Sequence, residues 1–143
     1  SADGAAFSDV GALSGGPEYQ CGCVWNDLMF LGTGGWTTNR AGTGLAFIYT
    51  FDGASRTQVF SAPDRNGVTD IISFRGRLYA TVDAGWETPE GDSAIYESPD
   101  GIAWSLLRTF PDPELRHMEV VDDAALVVYG GRAGGHGVIY IWE

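Results

Sequence analysis

Lysine is absent from this 143-residue chain: all eight basic residues are arginine, against nineteen Asp and Glu, for a formal net charge of −11. Proteins that bind phosphate backbones or anionic lipid need a basic footprint, so this balance argues against both partners. Also lacking is any run near the ~20 apolar residues of a membrane span, or a basic segment leading into an apolar one as in a signal peptide. Direct membrane insertion is therefore not expected. No apolar period of 3.6 is sustained, which excludes a long amphipathic helix. Cysteine is scarce. Cys21 and Cys23 are separated by one glycine, and residues two apart are too widely spaced for ordinary disulfide geometry. On a strand both would face the same way. They read either as small buried hydrophobes or as a CxC metal or redox site, and no second cysteine pair or histidine cluster supports the latter.

The acid excess favours solubility. It is also similar to what haloarchaeal proteins and their viruses show, although a GC-rich genome would deplete lysine as well. What the chain has in quantity is glycine, 21 residues, without a collagen-like period. The glycines fall between short apolar runs, as turn residues do. The runs "QCGCVW", "LMFLGT", "LAFIYTF", "TQVFS", "VTDIISF", "LYATVD", "SAIYES", "WSLLRTF", "HMEVV", "ALVVYGG" and "VIYIWE" are rich in β-branched and aromatic residues and bounded by Gly, Asp, Asn or Pro. The pattern predicts an all-β chain.

These runs repeat. Tyr49, Tyr96 and Tyr140 stand 47 and 44 residues apart, and Asp3, Asp52 and Asp100 stand 49 and 48 apart. Three repeats of four strands follow, at about 20–61, 68–110 and 116–143, with tight turns expected at Asn26-Asp27, Gly76-Arg77 and Asp122-Asp123. The third repeat lacks its fourth strand, and residues 5–13 have the pattern to supply it. Joined end to start, the termini read "IYIWE-SADGAAFS", an echo of the internal "IYESPDGIAWS" at 95–105. Four-stranded repeats of ~40–50 residues are the signature of β-propeller blades. A single unit over 1–143 with three blades is the expected architecture. Three blades do not close a ring, so completion by oligomerisation is expected, as a six-bladed homodimer or with a different propeller subunit.

The stretch "SPDGIAW" resembles the Asp-box, or BNR repeat, of sialidase-like β-propellers. Ser98, Asp100, Gly101 and Trp104 match its pattern. Ser1, Asp3 and Gly4 match with Phe7 in place of Trp, while Thr50, Asp52 and Gly53 keep the turn but have Arg56 where the aromatic belongs. "LVVYGGRAGGHGVIY" is similar to a kelch blade. The resemblance implies that the aspartates hold the turns between third and fourth strands, that glycine supplies φ > 0 and that the aromatic plugs the blade. It also implies that these boxes lie opposite the ligand face and are structural.

The loops expected on the other face run over 32–44, 83–93 and 130–137. They carry Trp36, Asn39, Arg40, Asp83, Trp86, Glu87, Arg132 and His136. Tryptophan beside Arg, Asn and Asp is the composition of a carbohydrate-binding site; alternatively the two tryptophans pack over blade edges. Asp83, Glu87, Glu90 and Asp92 form either a Ca²⁺ site or a solvated acidic loop. No other cofactor is expected, and His117 and His136 read as ordinary polar residues. A sialidase resemblance would require an arginine triad, an Arg-Ile-Pro-like segment and a Tyr paired with Glu; no such segment is present, and 143 residues hold too few blades for one complete site. The expectation is therefore a non-enzymatic, lectin-like recognition or assembly module, extracellular or surface-associated, as in a virion spike or cell-surface complex. Its alternative is a glycosidase of sialidase type, or a subunit of one, in which paired carboxylates such as Asp83 and Glu87 act.

Overall fold

The computed structural model describes residues 18–34, 45–84, 92–111, 114–132 and 136–143. Eleven strands and no helix are found among the described residues. They are β1 (Glu18–Trp25), β2 (Leu28–Gly34), β3 (Ala46–Phe51), β4 (Arg56–Ala62), β5 (Gly67–Phe74), β6 (Arg77–Asp83), β7 (Ser93–Ser98), β8 (Ser105–Phe110), β9 (Glu114–Val121), β10 (Ala125–Arg132) and β11 (His136–Trp142). Each pairs antiparallel with its neighbours in a meander, β1–β4, β5–β8 and β9–β11. A single bridge, Gly34 to Gly67, links the first two meanders into one curled eight-stranded sheet, and β9–β11 form a separate three-stranded sheet.

Turn chemistry sets the hairpins. Asn26-Asp27 and Asp122-Asp123 have φ between 49° and 62°, the left-handed pair that suits a two-residue hairpin. In the second meander the turn residues are Arg75 and Gly76, with φ of 47° and 73°. Arg77 opens β6, which places the turn one residue earlier than the sequence pattern suggested. Alternation does the rest. Residues of one parity fill a core between the first and second meanders, around Phe30, Ile48, Phe60, Val68, Leu78 and Val82. Those of the other parity on the second meander join Leu115, Met118, Leu126 and Val128 in a second core. Both faces of the middle meander are thus covered, and β6 is buried along nearly its whole length.

The meanders also interlock by polar bonds. Thr69 Oγ1 on β5 donates to the Leu115 carbonyl at 2.6 Å, and the Arg75 guanidinium donates to the Ala124 carbonyl at 2.7 Å. At Gly130 a Cβ would collide with the Glu114 carbonyl oxygen, so glycine near the end of β10 lets β9 approach closely.

Candidate functional site

The strand ends sort the side chains into two groups. Glu18 pairs with Gly34, Gly67 with Asp83 and Glu114 with Gly131 at one end of the meanders. The turns at Asp52 and Asp100 lie at the other, since Phe51 pairs with Met29 and Ser98 with Leu78 at the starts of β2 and β6.

At the second end, Asp52 Oδ1 accepts the backbone N–H groups of Ala54 and Ser55 at 2.9 and 2.7 Å. Asp100 Oδ1 accepts those of Ile102 and Ala103, both at 2.8 Å. The N–H bonds from Ser55 and Ala54 hold the Asp52 carboxyl below its ordinary pKa, and those from Ala103 and Ile102 do the same for Asp100. Ser98 Oγ accepts from Gly101 N at 2.8 Å, and Gly53 and Gly101 have φ of 97° and 76°. Trp104 reaches the first core, 5.8 Å from the Phe60 ring, and its indole N–H donates to the Gly101 carbonyl. Arg56 bonds the Tyr19 hydroxyl at 3.0 Å. These carboxylates are committed to turns.

At the first end lies Asp83, 7 % exposed at the close of β6. Its backbone carbonyl accepts Asn66 N–H at 3.0 Å, and its carboxyl receives the Gly67 N–H. Oδ1 is buried with no hydrogen-bond partner, and so is Nε of Arg65 in the adjoining connection. Burial pushes the Asp83 carboxyl up to about 6, with Arg116 pulling the other way and Glu114 adding to the rise. Glu114 itself is ion-paired with Arg116, Oε2 lying 3.1 Å from Nη2 and 3.3 Å from Nε. Two carboxyls thus share one end of the fold, Asp83 buried with its pKa pushed up to about 6 and Glu114 ion-paired with an arginine.

Sequence reasoning singled out Asp83 but missed Glu114, Arg116 and Arg65. These come from the starts and connections of first strands, outside the long loops that carry the sequence candidates. Trp36, Asn39, Arg40, Trp86, Glu87 and Glu90 lie outside the described residues, as do Ser1, Asp3, Gly4, Phe7 and the segment 5–13. Arg132 and His136 are backbone partners where β10 runs into its connection to β11. No group of three His, Cys, Asp or Glu able to hold a metal is found among the described residues. Cys21 and Cys23 are free thiols packed against the first core. The Cys21 thiol donates to the Val68 carbonyl at 3.4 Å, and burial, with Asp70 nearby, pushes its pKa up to about 12.

The architecture is that of an all-β, propeller-like protein. Among solved structures, it is similar to a GH43_1 enzyme from Xanthomonas citri, with a TM-score of 0.53 at 13 % identity over 84 % of this chain and 42 % of that one. A GH43 β-xylosidase/α-arabinofuranosidase from a compost microbial metagenome, in complex with xylotriose, matches with a TM-score of 0.48 at 15 % identity over 84 % and 43 %. The chain spans about two fifths of the length of these proteins. No protein-family model and no curated protein matches it.

The neighbours correct one expectation. The sequence leads to the expectation of a non-enzymatic, lectin-like module; the solved structure that shares its fold at a TM-score of 0.53 is a GH43 enzyme, which tells against that expectation and leaves its alternative, a glycosidase. The earlier inference leaned on the lack of a sialidase signature. A missing Arg-Ile-Pro-like segment argues against one kind of sugar chemistry and says nothing about glycosidases that work by a pair of carboxyls.

Proposed function

We propose that this chain is part of a propeller-type glycoside hydrolase, contributing three four-stranded blades whose first-strand ends face the glycoside. The turns at Asp52 and Asp100 are read as Asp-boxes bracing the opposite face. The observation that carries the proposal is the buried carboxyl of Asp83 beside the arginine-paired carboxylate of Glu114. Asp83, protonated up to about pH 6, is the general acid that protonates the leaving oxygen. Glu114, ion-paired with Arg116, supports the positive charge that develops on the sugar ring or activates water against it. A buried acid and an ionised partner are what cleavage of a glycosidic bond needs, because the two groups act in opposite protonation states.

The test is turnover of a panel of aryl pyranosides and furanosides by the purified protein. Asp83→Asn and Glu114→Gln are each expected to lower kcat by ~100-fold or more, with far-UV circular dichroism unchanged. Absence of turnover above buffer across the panel would sink the proposal.

A further inference from the structure

Each meander's first strand carries one extra residue at the same height. Cys21 pairs with Gly32 and Tyr19 with Thr33, which leaves Gln20 without a partner on β2. Asp70 pairs with Thr81 and Val68 with Val82, leaving Thr69. His117 pairs with Tyr129 and Leu115 with Gly130, leaving Arg116. A bulge of this kind re-aims the side chain it carries, and bulges concentrate beside active sites. Two of the three spend their polar groups on the protein. The Thr69 hydroxyl lies 2.6 Å from the Leu115 carbonyl and 2.9 Å from Thr81 Oγ1, and Arg116 holds Glu114. The same register makes Asp83 the counterpart of Gly34 and Gly131, which pair with Glu18 and Glu114.

Gln20 is the exception. It is exposed, and its carboxamide makes no hydrogen bond among the described residues. It is nevertheless seated. A Cβ on Gly34 would collide with Oε1, Cδ and Nε2 of Gln20 alike, and one on Gly67 would come within 2.9 Å of Oε1. The carboxamide therefore lies across the Gly34–Gly67 bridge that joins the first two meanders. Gly67 is shared between two side chains: its N–H goes to the Asp83 carboxyl, while the Gln20 amide rests over its α-carbon. Asp83 Oδ1 and the Nε of Arg65, two residues before Gly67, are the buried polar atoms left without hydrogen bonds among the described residues. The nearest carboxylate oxygen to that Nε is Asp64 Oδ2, at 3.9 Å. Unspent hydrogen-bonding capacity thus gathers around one glycine.

We propose that Gln20 is a substrate-positioning and specificity residue, whose carboxamide holds neighbouring free hydroxyls of a neutral sugar ring beside Asp83. The assignment rests on the hydrolase reading above and names what that site grips. An amide presents a donor and an acceptor side by side, so its N–H₂ donates to one ring hydroxyl while its carbonyl accepts from the next. Seated on two glycines, it loses little freedom when the sugar arrives, and the contact costs little ordering. Because Gln20 and Asp83 both rest on Gly67, a ring held by the amide brings its glycosidic oxygen toward the acid. A site built to bond a hydroxyl discriminates against the analogue that lacks it, since the amide is then left unpaired.

The test compares the parent with Gln20→Met, which keeps the length of the side chain and loses the amide. Substrates are the aryl glycosides turned over in the panel, each beside its 2-deoxy and 3-deoxy counterparts. Gln20→Met is expected to lower kcat/KM about tenfold on the fully hydroxylated glycoside. On the deoxy glycoside that lacks the matched hydroxyl the loss is expected to be less than about twofold, with Tm unchanged. Equal loss on every substrate, or none on any, overturns the proposal. Binding is read separately by saturation-transfer NMR with the methyl glycosides of the same sugars, which needs no turnover; there too Gln20→Met is expected to weaken binding about tenfold. Binding that depends on Gln20 without turnover removes the hydrolase reading and upholds this site. Turnover indifferent to Gln20 removes this assignment alone, and the absence of both binding and turnover removes both.

Discussion

Asp70 on β5 accepts the backbone N–H of Met118 on β9 at 2.8 Å through Oδ2, while its Oδ1 accepts its neighbour Ile71. One half-buried side chain thus ties the second meander to the third. His117 lies 4.0 Å from the same oxygen. Burial nevertheless outweighs these contacts and raises the Asp70 pKa. Asp70→Ala strands the Met118 N–H and is expected to cost about 1–3 kcal/mol in urea unfolding. Asp70→Asn keeps an accepting oxygen and is expected to cost less than half as much. Equal losses for the two variants would show that the charge, not the acceptor, matters.

Asp83 gives stability a particular pH dependence. Its carboxyl titrates near 6 in the fold and near 3.9 when unfolded. Because the folded value is the higher, the contribution of this group is fully present below about pH 4 and is lost as pH rises through about 6. The gap corresponds to on the order of 3 kcal/mol. Asp83→Asn cannot ionise, so stability measured from pH 4 to 7 is expected to fall less steeply than in the parent, with Asp70 leaving a residual slope. At pH 7 the variant is expected to melt higher than the parent while its turnover falls.

Trp104 bridges two meanders, packing on Phe60 from the turn that follows β7. Trp104→Ala is expected to cost about 3 kcal/mol, through lost burial and a cavity against the first core. Asp100→Ala frees the Ile102 and Ala103 N–H groups on the surface and is expected to lower Tm by less. Thermal unfolding followed by circular dichroism ranks the two.

Cys21 is expected to resist alkylation. With its pKa near 12 almost no thiolate exists at pH 8, and the thiolate is the nucleophile. Iodoacetamide at pH 8 should modify Cys21 at least tenfold more slowly in the folded protein than in urea, read by mass spectrometry of the peptide that contains it. Equal rates in the two states would contradict the burial described.

Much of the fold was legible because its signals are local. The left-handed pairs Asn26-Asp27 and Asp122-Asp123 mark hairpins wherever they occur, and period-two alternation marks the strands between them. The turn at Arg75-Gly76 was displaced by one residue because Arg-Gly and Gly-Arg are equally readable from composition, and only the strand register separates them. The site was less legible. Asp83 could be chosen as an acid near a loop, but an aspartate looks alike in a sequence whether solvated or 7 % exposed.

By itself the sequence determined the all-β character, the spacing of the repeat and, at Asn26-Asp27 and Asp122-Asp123, the residues that close its turns. Each of these depends on neighbours a few positions away. Only the tertiary structure decided that Asp83 is buried, that Glu114 and Arg116 from β9 influence it, and that Ile48 and Ile95 are covered while Ile139 is bare. Those outcomes depend on which sheet packs against which. Burial, charge coupling and the raised carboxyl arise between segments tens of residues apart, where the pattern within any one segment carries no information.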